Sequence, residues 1–439
     1  MLYFLILAEG FISLSLQMLF IRQLTPEVGA SSVITSWVVG FFLLALSLGY
    51  KQGGIKSTSP IQALAKNFIK VGLLGGVATS SIAIMLYFQL ISDLAVIASL
   101  ILYSILVVSP IAYWMGQSLP LLIQQFKWGS SNSEISGNAL FLSTIGSFLG
   151  AIITTNLLLF TIGATYSLVL ICLISLAIGF HFVKIAFWKI ASVFSVLLVM
   201  LCNIGGGALL GLKSTPYADV YIRNNNGSVQ LIANNGVMSK LKDGVSDSWY
   251  IKEFHRYAQQ GNPKDKEFLI LGAGGFVVHL SDTDNNYTYV DVDPELKRIS
   301  EAEFIKKEVV ADFVVSDARR YLIDYDNSYD LIFLDAFSSS TSIPSHLVTS
   351  QFFSLIRERI KVGGKLIVNV VLDSEYDSDY SKIFHATLLS RFPFCESSNN
   401  KPNENGLANV MYSCEKKMDD IEVYSDDNNI NEFDFWTMR

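Results

Sequence analysis

The sequence predicts a polytopic α-helical membrane domain followed by an α/β domain built on an open, mostly parallel sheet. The chain has 439 residues, of which 51% are hydrophobic and 16% charged. Its charges are segregated: residues 1–211 carry a net charge of +4 and residues 212–439 a net charge of −11. Strands alternate with helical patterns between residues 266 and 370, which is typical of α/β domains. We divide the chain into a membrane domain (1–211), a small β subdomain with a linking helix (212–260), the α/β domain (261–414) and a polar acidic tail (415–439).

Seven apolar segments, each close to the ~20 residues that a transmembrane helix needs, predict about seven membrane spans. They cover residues 2–20, 31–50, 69–91, 94–113, 137–160, 163–183 and 190–211. Small residues in Gly137–Gly150 and Gly205–Gly211 predict close helix packing, with a substrate path as the alternative. Glu9 lies inside the first span, where a carboxyl is either functional or solvated near the helix end.

The loops predict the orientation of these spans. Loops on the side of the N-terminus carry seven lysines, whereas loops on the other side carry only Arg22. Because cytoplasmic loops are enriched in Lys and Arg, we expect a multi-pass inner (cytoplasmic) membrane protein whose α/β domain is extracytoplasmic. Cys395 and Cys414 close two strand-like runs; a disulfide between them would suit an oxidising compartment, and two buried free thiols are the alternative.

After Ser214 the apolar residues alternate in short runs separated by Asn and Gly, which predicts a small antiparallel sheet. An amphipathic helix follows, and then the apolar strand Phe268–Leu271 runs into Gly272, Gly274 and Gly275. This turn lets the backbone approach a ligand and is expected to open a helix N-terminus. Val277 stands where a dinucleotide-binding motif needs its third glycine, so a nucleoside is favoured over a dinucleotide.

Acidic residues follow three of the next strands. Asp291 or Asp293 can bind the paired hydroxyls of a ribose; Asp293 is equally suited to cap a helix that starts at Pro294, so Asp291 is preferred. Asp317 can accept from an adenine amino group, cap the helix that begins at Ala318, or do both. Asp335 ends a buried strand, where chemistry occurs in this fold, although anchoring the next loop is its structural alternative.

The histidines and cysteines show no metal-ligand spacing, so no metal is expected. The acidic α/β domain opposes binding to a nucleic-acid backbone, and no nucleic-acid partner is expected.

The chain contains SLQMLFIRQL and MGQSLPLL in its membrane half, and YADVYI, LIANNGVMS, YIKEFH, LGAGG, VDVDP, SDARRYL and DAFSSSTSIPSHLVTSQFF in its other half. On these motifs it resembles the membrane-fused spermidine synthase-like proteins of the polyamine aminopropyltransferase family. The resemblance implies an α/β Rossmann-like (class I methyltransferase-type) domain with a small antiparallel β subdomain at its start.

The resemblance also implies a transferase that takes S-adenosylmethionine or its decarboxylated form as co-substrate, with Asp335 as base or orienter. The co-substrate would lie on Gly272, Gly274, Gly275, Asp291, Asp293, Asp317 and Ala318. Tyr250, His255, Ser338 and His346 would bind the second substrate. That substrate is expected to be an amine, or a membrane or exported protein, and the expected partners include the lipid bilayer and a second copy in a homodimer.

Two further hypotheses stay open. The soluble enzymes of the family carry an acid after the glycine turn and a second Asp after the catalytic strand, where this chain has Phe276 and Ser338–Ser340. These differences favour a catalytically degenerate binding or scaffolding module that assists or modifies exported or membrane proteins. The third hypothesis, a polyamine transporter or sensor, is disfavoured because charged residues are nearly absent from the spans.

Overall fold

The computed structural model describes residues 1–28, 32–92, 94–125, 132–225, 227–234, 236–261, 263–336, 343–373, 375–403 and 406–417. Ser338 and most of the predicted tail therefore lie outside the described residues. The chain forms two compact units. The first contains the described residues of Met1–Gly244 and Asp293–Glu308, and the second those of Val245–Val292, Val309–Ala336 and Ile343–Arg439.

The first unit begins with ten helices. They are α1 (Leu2–Val28), α2 (Ser32–Gly53), α3 (Pro60–Ala78), α4 (Ser81–Leu90), α5 (Val96–Tyr103), α6 (Ser109–Ile123), α7 (Asn132–Ile153), α8 (Leu159–Phe182), α9 (Ala186–Met200) and α10 (Gly206–Leu210). Single π-helical turns join α5 to α6, α7 to α8 and α9 to α10.

Several of these helical segments can cross a membrane. Among the described residues, four are long and apolar enough, or five if α3 and α4, which bend by 65° at their junction, count as one. One of the four, Ser133–Phe182, is 50 residues long, although the non-helical backbone of Gly163 interrupts it. The structure thus supports a membrane protein, while the number of seven spans stays a prediction.

Small residues let α1 and α7 approach closely. A Cβ atom on Gly10 would lie 2.1 Å from the Ser143 carbonyl oxygen, and one on Gly146 would lie 2.1 Å from that of Leu7. These contacts support close packing as the role of the glycines in this part of the chain. Between the same helices the Ser143 hydroxyl donates to Glu9 at 2.9 Å, and Glu9 is only 1% exposed, so its interpretation as a solvated end residue is wrong.

The short alternating runs after Ser214 form an antiparallel sheet, as predicted. Its strands in the first unit are β1 (Lys213–Ser214), β2 (Asp219–Asn225), β3 (Ser228–Ala233) and β4 (Gly236–Lys242), in the order β1-β2-β3-β4. Each neighbouring pair is antiparallel. The helix α12 (Leu296–Ile299) also belongs to this unit.

The second unit begins with β5 (Val245–Ser246) and the amphipathic helix α11 (Trp249–Ala258), which precede a seven-stranded sheet. The strands are β6 (Glu267–Leu271), β7 (Asn286–Asp291), β8 (Asp312–Val315), β9 (Tyr329–Leu334), β10 (Ile360–Asp373), β11 (Cys395–Asn399) and β12 (Leu407–Glu415). Their order is β11-β12-β10-β9-β6-β7-β8.

The pairing of these strands confirms the predicted fold. From β6 to β10 every pair is parallel, and β12 lies antiparallel between β10 and β11. A single antiparallel strand inserted next to the last strand of a parallel sheet defines the Rossmann-like, class I methyltransferase-type fold. The strand order reverses between β6 and β9, and ligands of open α/β sheets bind at such a switch point, beyond the carboxyl ends of the strands.

Three helices of this unit begin at capping side chains, which accept hydrogen bonds from the free N–H groups of the first turn. They are α13 (Ala318–Asp324), α14 (Ser350–Arg359) and α15 (Asp379–Leu389), capped by Asp317, Thr349 and Ser378. Asp317 therefore takes the capping role that the sequence allowed.

The prediction that a helix begins at the glycine turn is wrong. Only a four-residue 3₁₀ helix, Val278–Ser281, lies between β6 and β7. Phe276 adopts a positive φ of 57°, which an α-helix cannot accommodate. Its ring is fully buried and contacts Tyr289 and Phe313, with ring centroids 5.0 and 5.2 Å away. The turn is thus pinned to the sheet by an aromatic side chain, and a helix dipole is not available there for a ligand.

Candidate active site at the carboxyl ends of the parallel strands

The glycine turn contacts the end of the neighbouring strand β9. Gly272 has a φ of +102°, and a Cβ atom on it would lie 2.3 Å from the Asp335 carbonyl oxygen. At this point a hydrogen bond joins the ends of β6 and β9, from the Asp335 N–H to the Leu271 carbonyl at 2.9 Å. A glycine is required here because both the backbone conformation and the space exclude a side chain. The turn and Asp335 therefore form one rigid corner at the switch point.

Asp291 orients the glycine turn. It is the last residue of β7, and its Oδ2 accepts a hydrogen bond from the Ala273 N–H at 2.9 Å. This bond fixes the carboxylate beside the backbone of Gly272 and Gly274. The structure thus brings together the predicted acid and the predicted turn, which is the arrangement that ribose binding needs.

Asp335 lies at the start of a chain of side-chain amides. Asn369, in the middle of β10 and 2% exposed, donates from Nδ2 to Asp335 Oδ1 at 2.8 Å. Asn409 of β12 in turn donates to Asn369 Oδ1 at 3.0 Å. The two asparagines fix the orientation of the carboxyl group. Neither was predicted as a site residue, although an asparagine inside the apolar run of β10 is the signal that could have identified Asn369.

The environment of Asp335 changes its acidity. Burial among the strand ends raises the pKa of its carboxyl group to about 7, although part of the side chain is still reachable by water, and the Asn369 hydrogen bond opposes this shift. A carboxyl group with a pKa near neutrality can exchange a proton with a substrate at physiological pH. The geometry therefore supports a role in proton transfer for Asp335.

Asp317 and His346 form a pair at the end of β8. The His346 Nε2 lies 2.9 Å from Asp317 Oδ2, while Asp317 Oδ1 accepts from the Arg320 N–H at 2.9 Å. Burial raises the pKa of Asp317, but the hydrogen bonds from Arg320 and His346 together lower it by more than burial raises it. The pKa of Asp317 therefore lies below its ordinary value. Asp317 is thus ionised at neutral pH, with both carboxyl oxygens already hydrogen-bonded within the chain. Ala318, predicted beside it, is the buried first residue of α13.

Asp293 belongs to the first compact unit. It is 2% exposed, and its two carboxyl oxygens accept hydrogen bonds from the Thr215 hydroxyl at 2.5 Å and from the Glu295 N–H at 3.1 Å. Both oxygens are used within the protein. This arrangement supports the structural alternative for Asp293 and leaves Asp291 as the ribose candidate.

Of the residues predicted to bind the second substrate, His346 pairs with Asp317, and Tyr250 and His255 lie on the helix α11. Tyr250 lies half-buried in the first turn of α11. His255, one turn later, has buried ring nitrogens without a hydrogen-bond partner in the described part of the chain. Burial lowers the pKa of His255, and the Asp282 carboxylate and the Val278 backbone oppose this shift. Its role and that of Tyr250 stay predictions.

Cys395 and Cys414 face each other in the register of β11 and β12, and their sulfur atoms are bonded at 2.01 Å. Of the two possibilities left open by the sequence, the structure contains the disulfide. Within the described ranges, no group of three or more His, Cys, Asp or Glu side chains could hold a metal ion.

Comparisons with known proteins agree with this fold. Residues 284–368 match a family model described as S-adenosyl-L-methionine-dependent methyltransferase. A probable polyamine aminopropyl transferase of Bifidobacterium longum (strain NCC 2705) is 26% identical over 161 residues, which cover 36% of this chain. The match spans only 36% of the length of that relative.

Two solved structures are also similar. A probable spermidine synthase from Corynebacterium glutamicum ATCC 13032 shares 18% identity and a TM-score of 0.42, covering 49% of this chain and 81% of the other. A spermidine synthase from Thermotoga maritima shares 18% identity and a TM-score of 0.40, covering 49% and 75%.

The chain carries a spermidine synthase-like domain of the S-adenosylmethionine-dependent methyltransferase type, as its motifs indicated. The site residues fit an adenosyl ligand. The turn has no side chain at Gly272, and Asp291 is fixed beside it. Asp317 follows β8, which is separated from β6 in the sheet only by β7.

Proposed function

We propose that this protein is a membrane-anchored, spermidine synthase-like transferase that moves an aminopropyl or related group from an S-adenosylmethionine-type donor to an amine. The observation that carries the proposal is Asp335. It is a carboxyl group at the switch point of the sheet, oriented by Asn369, with a pKa raised to about 7.

The donor supplies a carbon atom activated by its sulfonium. The amine nitrogen forms a bond to that carbon as the carbon–sulfur bond breaks, and the bonding pair leaves with sulfur, which becomes a neutral thioether. The amine must attack as a free base and loses one proton for each transfer. Asp335 accepts this proton, Asn369 holds the receiving oxygen in place, and Asp291 and the glycine turn fix the nucleoside so that the carbon faces the amine.

An amine acceptor is supported by two observations. The B. longum relative is named as a probable polyamine aminopropyl transferase. The second half of the chain carries a net charge of −11, which favours cationic substrates over anionic ones. We propose a polyamine or an amine on a membrane or exported molecule as the acceptor, and decarboxylated S-adenosylmethionine as the donor, with methyl transfer from S-adenosylmethionine as the related reaction.

The test compares Asp335→Asn with wild type in a transfer assay on the full-length protein, with each of the two donors and a diamine acceptor. Loss of the base is expected to lower kcat by about 10²- to 10⁴-fold. Donor affinity, measured by calorimetry, should stay within about twofold, because Asn keeps the shape of the side chain and Asp291 is untouched. Asp326→Asn is the matched control, since Asp326 is exposed and pairs only with Arg359 among the described side chains. Full activity of Asp335→Asn would reject Asp335 as the base.

A second candidate function is a binding or scaffolding module without catalysis. It is favoured by Phe276, whose fully buried ring occupies the position where the soluble enzymes carry an acid. In that case both donors would bind without turnover, and wild type and Asp335→Asn would be equally inactive in the same assay.

A further inference from the structure

A polar cleft opens in the first unit, where the end of α1 and the start of α4 meet β2. Gln23, Glu27, Ser81, Asp219, Tyr221 and Asn234 line it, together with apolar residues. None of these residues takes part in the proposed transfer reaction.

Two nearly inaccessible side chains of this cleft are incompletely satisfied. Gln23 is 2% and Asp219 is 6% exposed. Gln23 Nε2 and Asp219 Oδ1 are buried and have no hydrogen-bond partner among the residues that the structure describes. Arg22 Nη2 forms an ion pair with Asp219 Oδ1 at 3.8 Å, which is beyond hydrogen-bonding distance. Buried polar atoms are normally paired, so unpaired ones that line a cleft indicate a ligand.

The hydroxyl of Ser81 determines what kind of ligand fits. It lies 3.2 Å from Gln23 Oε1 and 2.7 Å from Asp219 Oδ2, yet a hydroxyl group has one hydrogen and cannot donate to both. Turning the Gln23 amide by half a turn resolves the conflict, since its NH₂ group then donates to Ser81 and Ser81 donates to Asp219. The groups left without a partner are then Gln23 Oε1 and Asp219 Oδ1, which are both acceptors.

The charges around the cleft also favour a cation. Arg22 is the only cationic side chain paired with Asp219 among the described residues, and it donates to the backbone carbonyls of Thr215 and Pro216. Its charge also acts on the buried carboxyl of Asp293. Glu27 adds a third carboxylate on the cleft wall. Asp219 and Glu27 are thus carboxylates of the cleft wall, and Asp219 shares Arg22 with the carbonyls of Thr215 and Pro216.

We propose that this cleft binds a primary ammonium group. Such a group carries a positive charge and three N–H donors, which match the two unpaired acceptors and the negative surroundings. A quaternary ammonium lacks the donors. If the helices cross a membrane as proposed, the ends of α1 and α4 place the cleft at the membrane surface, where a free alkylamine and a phosphatidylethanolamine headgroup share this chemistry.

The test uses n-butylamine as the probe and the full-length protein in phosphatidylcholine nanodiscs, titrated calorimetrically at neutral pH. We expect saturable binding of butylamine and, for tetramethylammonium, binding at least about tenfold weaker because no hydrogen bonds can form. Asp219→Asn should weaken butylamine binding by about tenfold or more. Glu303→Gln is the matched control, because it removes a carboxylate of the same unit that pairs with Lys213, outside the cleft.

A second variant keeps the test decisive if Asp219→Asn fails to fold. Asn234 has a φ of 48°, which Asp also tolerates, and its Oδ1 accepts from the Asp219 N–H, a bond that Asp can keep. Asn234→Asp adds a carboxylate to the cleft and should tighten butylamine binding by about threefold or more.

The lipid composition of the nanodiscs distinguishes the two sources of the primary ammonium group, a free alkylamine and a phosphatidylethanolamine headgroup. If phosphatidylethanolamine is included and the apparent Kd for butylamine rises, the headgroup occupies the cleft; if the Kd is unchanged, a free amine is its ligand. Absence of saturable butylamine binding would overturn the proposal, as would equal affinity for tetramethylammonium or unchanged affinity in both Asp219→Asn and Asn234→Asp. Because no donor is present, these outcomes are independent of the transfer reaction.

Discussion

Asp335 combines two properties that a proton acceptor needs, a fixed orientation and a pKa near neutrality. The first comes from Asn369 and Asn409, and the second from burial at the end of β9. Either property alone would be unremarkable in a buried carboxyl group. Together, at the switch point of the sheet, they make Asp335 the residue on which the proposed chemistry depends.

The raised pKa predicts the pH dependence of transfer. Only the ionised carboxylate accepts a proton, so Asp335 should add a rise in kcat/KM of about tenfold per pH unit below its pKa, on top of the rise due to ionisation of the amine, and this added rise should end above about 7. The measurement is the pH–rate profile of wild type with a saturating donor. Asp335→Asn should lose this rise while keeping any dependence due to the ionisation of the amine. A wild-type profile without a rise between pH 5 and 7 contradicts the assignment.

Individual site residues were predictable only where they follow a strong pattern. Asp291 and Asp335 each follow an apolar run, and the carboxyl ends of parallel strands meet at one edge, so their place could be inferred. Asn369 could not, because a single asparagine in a strand does not reveal which neighbour its amide faces. Asp293 is close to Asp291 in the sequence, yet its hydrogen bond from Thr215 depends on a segment 78 residues away.

At the scale of elements, the corner between the glycine turn and β9 depends on close backbone contact. Gly272→Ala is expected to destabilise the second unit by at least about 2 kcal/mol, because it combines a strained φ with a Cβ atom 2.3 Å from the Asp335 carbonyl. Denaturant unfolding of the full-length protein, followed by a probe in the second unit, measures the loss.

Gly363→Ala is the matched control for this prediction. Gly363 also has a positive φ, of +76°, but a Cβ atom there would meet nothing within 4 Å. It should therefore show only the backbone cost, about 1 kcal/mol. Equal losses in the two variants would mean that the contact between Gly272 and Asp335 does not limit the packing of this corner.

The elements of the second unit were largely predictable because its strands are buried apolar runs and its helices begin at capping residues. The segment after the glycine turn was not. The glycine turn predicted the start of a helix, whereas the structure uses Phe276 to anchor a 3₁₀ turn. The conformation of this segment is determined by the packing of one aromatic ring on the sheet, and the local sequence pattern does not reveal that contact.

At the scale of the whole molecule, the sequence predicted the division into apolar helices and an α/β domain from the segregation of charge and hydropathy. It also placed the two cysteines on paired strands, and the structure contains their disulfide. The sidedness of the domain stays a prediction. A disulfide and the lysine-rich loops favour an extracytoplasmic domain, whereas adenosyl donors are made in the cytoplasm, so the location of donor use is the decisive property of the molecule.

The most direct test of the proposed function measures transfer and sidedness together. Right-side-out and inside-out membrane vesicles containing the full-length protein are given a labelled adenosyl-sulfonium donor, which as a cation does not cross the bilayer, and a diamine acceptor. We predict labelled amine product, with release of the thioether nucleoside, in right-side-out vesicles only. Product in inside-out vesicles alone would keep the transferase and reverse the orientation. Absence of labelled amine in both preparations, with Asp335→Asn indistinguishable from wild type, would contradict the transferase itself.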